Sequence, residues 1–392
     1  MAHNKEWSVY VIYNNMYDMT SLLKKIHKRI TRKVTKRLYP NRYYNWYVFS
    51  RQLTHALQQQ VMPHYPTTLS SPNSPDVLSA SNSPAMPHTT VERALTHTDQ
   101  TVVAIHNGWT ESGGLADRLK GIVSTYQLCQ EMHLPFRIHF THPFPLELFL
   151  VPNTYDWRIS PSQLCFTQPQ TLPVCLEIGS ESPWQQQRQK QYLQHAFQKT
   201  QGTQIHVYTN AMFACSNEFG KAFHELFQPS ERLQNAINRQ LDFIGQPFVS
   251  VSARFMGSLG DFTDTMPSVA LPPNQQQQLI DACLRQIEHI QKNHPDTTIL
   301  VNSDSATFLQ YAHQLPNTYT IPGQILHLDV KADETSMNAV YETYEKTLLD
   351  FFMIAHAQTV YRLKGPGMHS SGFPHVASLI GRKPFHSITF TL

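Results

Sequence analysis

The chain has 392 residues, a net charge of +3 at neutral pH and 41% hydrophobic residues, a length that fits two domains and an appendage. It has no apolar run near the roughly 18 residues needed to cross a bilayer, and its first residues do not resemble a signal peptide, so we expect a cytoplasmic protein. The five cysteines are scattered and odd in number, which disfavours a zinc site and a disulfide framework.

The first 60 residues form a basic appendage. Residues 20–75 contain ten Lys or Arg and no Asp or Glu, whereas the rest of the chain sums to −7. An apolar residue at every fourth position from Leu22 to Leu38 predicts a basic amphipathic helix. Three alternatives stay open for it: peripheral binding to an anionic membrane, docking on the protein's own body, or binding a polyanion. Nucleic acid is the least favoured partner because the remaining chain is acidic and lacks nucleic-acid-binding motifs.

Residues 61–100 are rich in Pro, Ser, Thr, Asn and His. This composition buries little apolar surface and resists regular structure. We expect a linker between the appendage and the body.

The body alternates strands and helices, which predicts an α/β protein with parallel sheets. A division near Gly245 separates a first half, 101–245, from a second half, 246–392, with a cleft between them. Predicted strands are 101–106, 136–140, 204–209, 248–254, 297–302, 320–322 and 358–363; predicted helices are 115–132, 184–199, 216–227, 229–244, 274–293, 306–314, 335–356 and 371–380.

The first candidate site segment is the glycine-bearing turn of Gly113 and Gly114, between a hydrophobic strand and a predicted helix. Glycines let the backbone approach a ligand, and the first N–H groups of a helix favour an anion. The turn therefore suits a diphosphate, and a packing turn without a ligand is the alternative.

The second segment follows the predicted strand 248–254, which ends at Arg254 and continues into a loop that contains Asp261. Ligands bind at the carboxyl ends of parallel strands, and an arginine there can neutralise a diphosphate leaving group. A surface arginine paired with Asp261 is the alternative.

Two further strands end in polar residues before a helix. Asp304 and Ser305 follow the strand 297–302, and they are candidates for nucleotide contacts or for simple helix capping. Ser370, Ser371 and Gly372 follow the last predicted strand, where hydroxyl and N–H groups suit phosphate oxygens or cap an ordinary helix.

These four segments together resemble the fucosyltransferase superfamily that includes the nodulation-type, core α1,6 and protein O-fucosyltransferases, and bacterial relatives above all. The resemblance covers roughly residues 100–392. The segments that resemble family motifs are Gly113–Leu119 (GGLADRL), Val251–Asp261 (VSARFMGSLGD), Ile299–Ser305 (ILVNSDS), Thr347–Phe352 (TLLDFF) and Ser370–Ile380 (SSGFPHVASLI).

The resemblance implies a GT-B fold, in which two Rossmann-like domains face a cleft, with GDP-fucose held mainly by the C-terminal half and no metal. Arg254 would then stabilise the departing GDP, an electrostatic role. Residues implied to bind the donor are Gly113, Gly114, Arg118, Asp261, Asp304, Ser305, Ser370, Ser371 and Phe373.

The chain departs from the family at two positions: Ser252 replaces a usual histidine and Asp117 a usual asparagine. A carboxylate beside a diphosphate is unfavourable, so Asp117 is expected either to pair with Arg118 or to face the acceptor as a general base, in competition with Glu111 and Asp261. His106 and His369 lie near predicted loops, where we expect surface or packing roles.

The sequence therefore predicts an inverting transfer of fucose from GDP-fucose to a glycan hydroxyl. A bacterial surface-polysaccharide role and a lipid-linked acceptor at the inner membrane face would fit the basic helix. The alternatives are a GT-B enzyme with another nucleotide sugar, and a non-catalytic polyanion-binding or membrane-binding protein.

Overall fold

The computed structural model describes residues 100–392, apart from residues 111, 167–170, 177–181, 200–203, 214–215, 263–268, 327 and 329–335. The predicted basic helix, the appendage 1–60 and the linker up to residue 99 lie outside the described residues, as does Glu111.

Strands and helices alternate along most of the described chain. The strands are β1 (Thr101–His106), β2 (Phe136–Phe140), β3 (Leu150–Pro152), β4 (Thr171–Cys175), β5 (Gln204–Tyr208), β6 (Phe227–Pro229), β7 (Phe248–Ala253), β8 (Thr298–Ser303), β9 (Thr318–Tyr319), β10 (Val360–Lys364) and β11 (Phe385–Thr389). The helices are α1 (Leu115–Glu131), α2 (Pro183–Lys199), α3 (Phe219–Leu226), α4 (Glu231–Ile244), α5 (Pro273–Asn293), α6 (Ala306–Ala312), α7 (Met337–His356) and α8 (Phe373–Gly381).

The strands form two parallel sheets, with the orders β2-β1-β5-β4 and β11-β10-β7-β8-β9, and β3 pairs with β6 in a small antiparallel ribbon. Every residue of β1 and of β7 is buried, as expected for interior strands covered on both faces. The expected α/β class is confirmed, and the two parallel sheets match the two-unit plan of GT-B proteins. The chain passes from the first sheet to the second just after Gly245, which ends α4 in the left-handed conformation (φ 67°).

Two edge strands of the parallel sheets and both strands of the β3–β6 ribbon escaped prediction, and one predicted strand was wrong. β4 contains Pro173, which cannot donate to a ladder and is tolerated because β4 lies at the edge of its sheet. β11 is also an edge strand, and its exposed polar residues hide the strand pattern. The predicted strand 320–322 is not a strand; β9 ends at Tyr319.

The helices α7 and α8 belong to the second half of the chain but pack on helices of the first half. One hydrophobic cluster contains Phe223 of α3 and Ile237 of α4 together with Phe352 and Ile380 of α7 and α8. The backbones of α3 and α8 approach so closely that a Cβ on Gly220 would lie 2.5 Å from the carbonyl oxygen of Leu379. One hydrophobic cluster therefore spans the two halves, while a second cluster lies entirely within the second half.

A glycine inside α1 serves packing. A Cβ on Gly121 would lie 2.1 Å from the carbonyl oxygen of Thr209, in the segment that follows β5. Because glycine has no side chain, α1 can approach the carboxyl end of β5 at this position.

No helix within the described ranges is long and apolar enough to cross a membrane.

Candidate active site

The turn between β1 and α1 depends on Gly113, whose φ of 68° is strained for residues with a side chain. A Cβ at this position would also lie 2.8 Å from Oδ2 of Asp117. The Gly113 carbonyl accepts a hydrogen bond from Nε of Arg118 at 2.9 Å. The side chain of Arg118 therefore holds the glycine-bearing turn against the first turn of α1.

The side chain of Arg118 forms hydrogen bonds to two loops of the first sheet, and the residue is only 1% exposed. Besides its bond to Gly113, its Nη1 donates to the carbonyl of His142 in the loop after β2. Its guanidinium also lies 5.3 Å from the centroid of the Phe140 ring. These contacts make Arg118 a buried positioning residue, and the donor contact that the resemblance implied for it stays a prediction.

Asp117 forms an ion pair with Lys120, a residue that the sequence reasoning missed. Oδ1 of Asp117 lies 2.8 Å from Nζ of Lys120, one helical turn further along α1. The Asp117 side chain is 40% exposed, whereas that of Lys120 is 9% exposed. The sequence expectation named Arg118 as the partner of Asp117; only the three-residue spacing from Asp117 pointed to Lys120.

Lys120 also connects the two halves of the chain. Its Nζ lies 3.8 Å from the position that a Cβ on Gly372 would occupy. Gly372 is the N-cap residue of α8 and follows Ser370 and Ser371. The glycine-bearing turn after β1 and the loop 370–372 after β10 therefore lie close together. The sequence predicted that both belong to one site.

Arg254 leaves the carboxyl end of β7 and lies beside the 369–372 loop. Its carbonyl accepts a hydrogen bond from the backbone N–H of His369 at 3.0 Å. Its guanidinium lies 5.9 Å from the centroid of the Phe262 ring. The arginine is thus placed next to the loop that carries Ser370 and Ser371.

Asp304 clamps the turn that follows Arg254. Its Oδ1 accepts the N–H of Phe255 and its Oδ2 the N–H of Met256, each at 2.8 Å. Met256 is left-handed (φ 51°), a conformation that such bonds hold in place. Burial raises the pKa of Asp304, although these hydrogen bonds and the charge of Arg254 act in the opposite direction. The carboxylate acts first as a structural clamp.

We expect Asp304→Ala to lower both stability and turnover. The substitution leaves two N–H groups without their acceptor, at a cost of about 1–3 kcal/mol for each that stays buried. A thermal melt and a turnover assay measure the two effects, with Asp242→Ala at the exposed end of α4 as control. An unchanged melting temperature with weakened nucleotide binding would instead favour a direct donor contact.

Ser305 and Asp261 cap the helix α6. The Ser305 hydroxyl accepts from the N–H of Phe308 at 3.0 Å and donates to Oδ2 of Asp261 at 2.8 Å. The same carboxylate oxygen accepts the N–H of Thr307 at 2.8 Å. The predicted capping role of Ser305 is confirmed, and Asp261 shares it.

The loop 370–373 is anchored by Arg362, another residue that the sequence reasoning missed. Nη1 of Arg362 donates to the carbonyl of Ser371 at 2.9 Å, and the Ser371 hydroxyl caps the N–H of Phe373 at 3.2 Å. The Phe373 ring packs against Phe351 of α7 at 5.0 Å, so it belongs to helix packing. Ser370 is exposed at the tip of the loop.

A row of polar residues crosses four strands of the second sheet, in register. Arg362 of β10 pairs with Ser387 of β11 and with Ser252 of β7, and Ser252 pairs with Asn302 of β8. Ser252 and Asn302 are buried, and among the described residues Oγ of Ser252 and Oδ1 of Asn302 have no hydrogen-bond partner. Such orphaned groups are costly and call for an explanation. Beside Arg254, they are suited to receive polar ligand groups.

Two other buried groups near the site are structural. Burial and then the charge of Arg118 hold the pKa of His106 well below its usual range, so this side chain is neutral and packs against Phe140. In α7, Asp350 pairs with Lys346 at 2.7 Å, and burial nevertheless raises its pKa. His369 is exposed, so the packing and surface roles expected for the two histidines fit their positions.

The four site segments thus come together at the carboxyl ends of two parallel sheets. These segments are 113–118, 254–261, 302–305 and 369–373. The segment 254–261 contacts both 302–305 and 369–373. Lys120, which pairs with Asp117, brings 113–118 to Gly372. The chain is therefore an α/β protein with cationic and amide groups gathered between two sheets.

Solved fucosyltransferases are the structural neighbours of this chain. NodZ α-1,6-fucosyltransferase soaked with GDP-fucose has a TM-score of 0.47 and 17% identity, covering 72% of this chain and 92% of that one. A point mutant of Arabidopsis thaliana FUT1 in complex with GDP has a TM-score of 0.46 and 12% identity, covering 75% of this chain and 70% of that one. POFUT1 in complex with GDP-fucose has a TM-score of 0.41 and 11% identity, covering 76% and 99%. No protein-family model and no curated protein matches the chain.

Proposed function

We propose that this protein is a glycosyltransferase that moves fucose from GDP-fucose to a glycan hydroxyl. The observation that carries the proposal is the meeting of four strand-end segments around Arg254, Lys120 and the 369–372 loop. Each of these segments resembles a motif of the fucosyltransferase superfamily. Cations and oriented amides at one place suit the diphosphate of a nucleotide sugar.

The proposed reaction is a single displacement with inversion. The acceptor oxygen attacks C1 of fucose, the bond from C1 to the β-phosphate oxygen breaks, and GDP leaves with the electron pair. Arg254 balances the charge that grows on the leaving diphosphate, so the proposal includes no metal ion. Asp117 accepts the proton of the acceptor hydroxyl, and the products are a fucosyl glycoside, GDP and a proton released to solvent.

The proposal extends to domains, location and pathway. The N-terminal half, 101–245, would hold the acceptor and the half 246–392 the nucleotide. The basic segment 20–38 would bring the enzyme to the anionic inner face of a bacterial membrane, where a lipid-linked glycan is a fitting acceptor. This arrangement would serve the assembly of surface polysaccharide or glycoconjugate.

We expect GDP to raise the melting temperature of the protein, whereas UDP, CMP and ADP do not. A ligand at about 100 times its Kd stabilises the folded state by about 2.7 kcal/mol, which corresponds to a shift of several degrees. Thermal melts with each nucleotide measure the effect. A shift with UDP alone would favour another nucleotide sugar, and indifference to all four would favour a non-catalytic binding protein.

A further inference from the structure

Lys120 is a cation that is 8% exposed and lies where the two candidate loops meet. A buried ammonium group requires an anionic partner, because removing its hydration is costly. In this structure the carboxylate of Asp117 is one such partner, at 2.8 Å. The pair is uneven, since Asp117 is 40% exposed and can turn towards solvent while Lys120 cannot.

The surroundings of Lys120 also favour an anion. Its Nζ lies beside Gly372, which begins α8 without a side-chain cap of its own, and the positive end of a helix repels a neighbouring cation. The backbone of Arg254 contacts the same loop, since the N–H of His369 donates to its carbonyl three residues before Gly372. A dianionic phosphate group would complement these charges better than the single charge of Asp117.

We infer that Lys120 binds the β-phosphate of the donor and that Asp117 is its counter-ion in the unliganded protein. The inference rests on the proposed function. When the diphosphate binds, it replaces the carboxylate on Lys120 and frees Asp117 for the acceptor side. Asp117 can then take the proton of the acceptor hydroxyl as its oxygen bonds C1 and GDP departs with the electron pair of the broken bond. The ion pair thus makes the general base available only after the donor is bound.

The test compares binding of GDP and GMP to the full-length protein by isothermal titration calorimetry. Lys120→Met keeps most of the apolar stem and removes the charge. We expect it to weaken GDP binding about tenfold or more and to change GMP binding little, because GMP lacks the β-phosphate. Lys120→Arg should restore most of the GDP affinity, and Lys221→Met on the exposed side of α3 is the matched control.

Asp117→Asn should have the opposite effect on GDP affinity. Removing the carboxylate that competes for Lys120 should tighten GDP binding, whereas a carboxylate that itself contacts the donor would make the same variant bind more weakly. In the Lys120→Met background, Asp117→Asn should no longer affect GDP affinity, since the competition is gone. Thermal melts show that each variant is folded.

The outcomes separate the two proposals. If the wild-type protein binds GDP and Lys120→Met binds it equally well, the role of Lys120 is overturned while the proposed function stands. Equal losses for GDP and GMP would make Lys120 a merely structural residue and also overturn the inference. If the wild-type protein binds no GDP, the proposed function and this inference fall together.

Discussion

Replacing Arg254 with alanine is expected to reduce fucose transfer by roughly 100-fold or more, since removing one preorganised group that stabilises transition-state charge has that effect. The fold should survive, because the contact of this residue with the 369–372 loop is made by its backbone carbonyl, which alanine retains. Released GDP, measured under saturating donor and acceptor, reports the loss.

The controls for Arg254→Ala separate charge from geometry. Arg254→Lys keeps the positive charge but lacks the planar set of donors, so it should recover only part of the activity. Arg285→Ala removes an exposed arginine from α5 and should leave turnover unchanged. Full activity of Arg254→Ala would remove this residue from the site.

Asp117→Asn is expected to lower kcat by about 10²–10⁴-fold, the usual contribution of a general base. The asparagine retains the size of the side chain and can still accept a hydrogen bond from Lys120, and a thermal melt checks that the loss of its charge leaves the protein folded. Turnover at saturating donor and acceptor measures kcat, with Asp242→Asn on α4 as the matched control.

An unchanged kcat of Asp117→Asn would contradict the assignment of the base. Of the other carboxylates considered from the sequence, Asp261 already bonds Ser305 and Thr307 through one oxygen, which suits a structural role. Glu111 lies outside the described residues and would become the next residue to replace.

Local patterns were sufficient to predict the interior of the fold. β1 and β7 are predominantly hydrophobic or small-residue runs because both faces are buried, and apolar residues at helical spacing follow β1 in α1. Edge strands gave no such signal: Pro173 in β4 and the exposed residues of β11 argue locally for a loop, and only pairing with a neighbouring strand overrides them.

The sequence predicted the location of the candidate site better than the roles of its residues. A motif shows that Arg118, Asp304 and Ser305 are near the site, but whether a side chain reaches outward or bonds the backbone depends on loops distant in sequence. The carbonyl of His142 and the N–H of Phe255 decide these roles for Arg118 and Asp304. Arg362 was missed for the same reason, since its partner Ser371 belongs to another segment, and the approach of Lys120 to Gly372 likewise joins residues distant in sequence.

The core that α7 and α8 share with α3 and α4 limits how this molecule can move and unfold. A fragment ending near Gly245 would expose the apolar faces of α3 and α4, so the first half is not an autonomous folding unit, whereas the second sheet also has a hydrophobic cluster of its own. Hinge opening between the halves would break the shared core. Entry and release of the proposed nucleotide would then depend on movement of the exposed loop residues His369 and Ser370 rather than on separation of the halves.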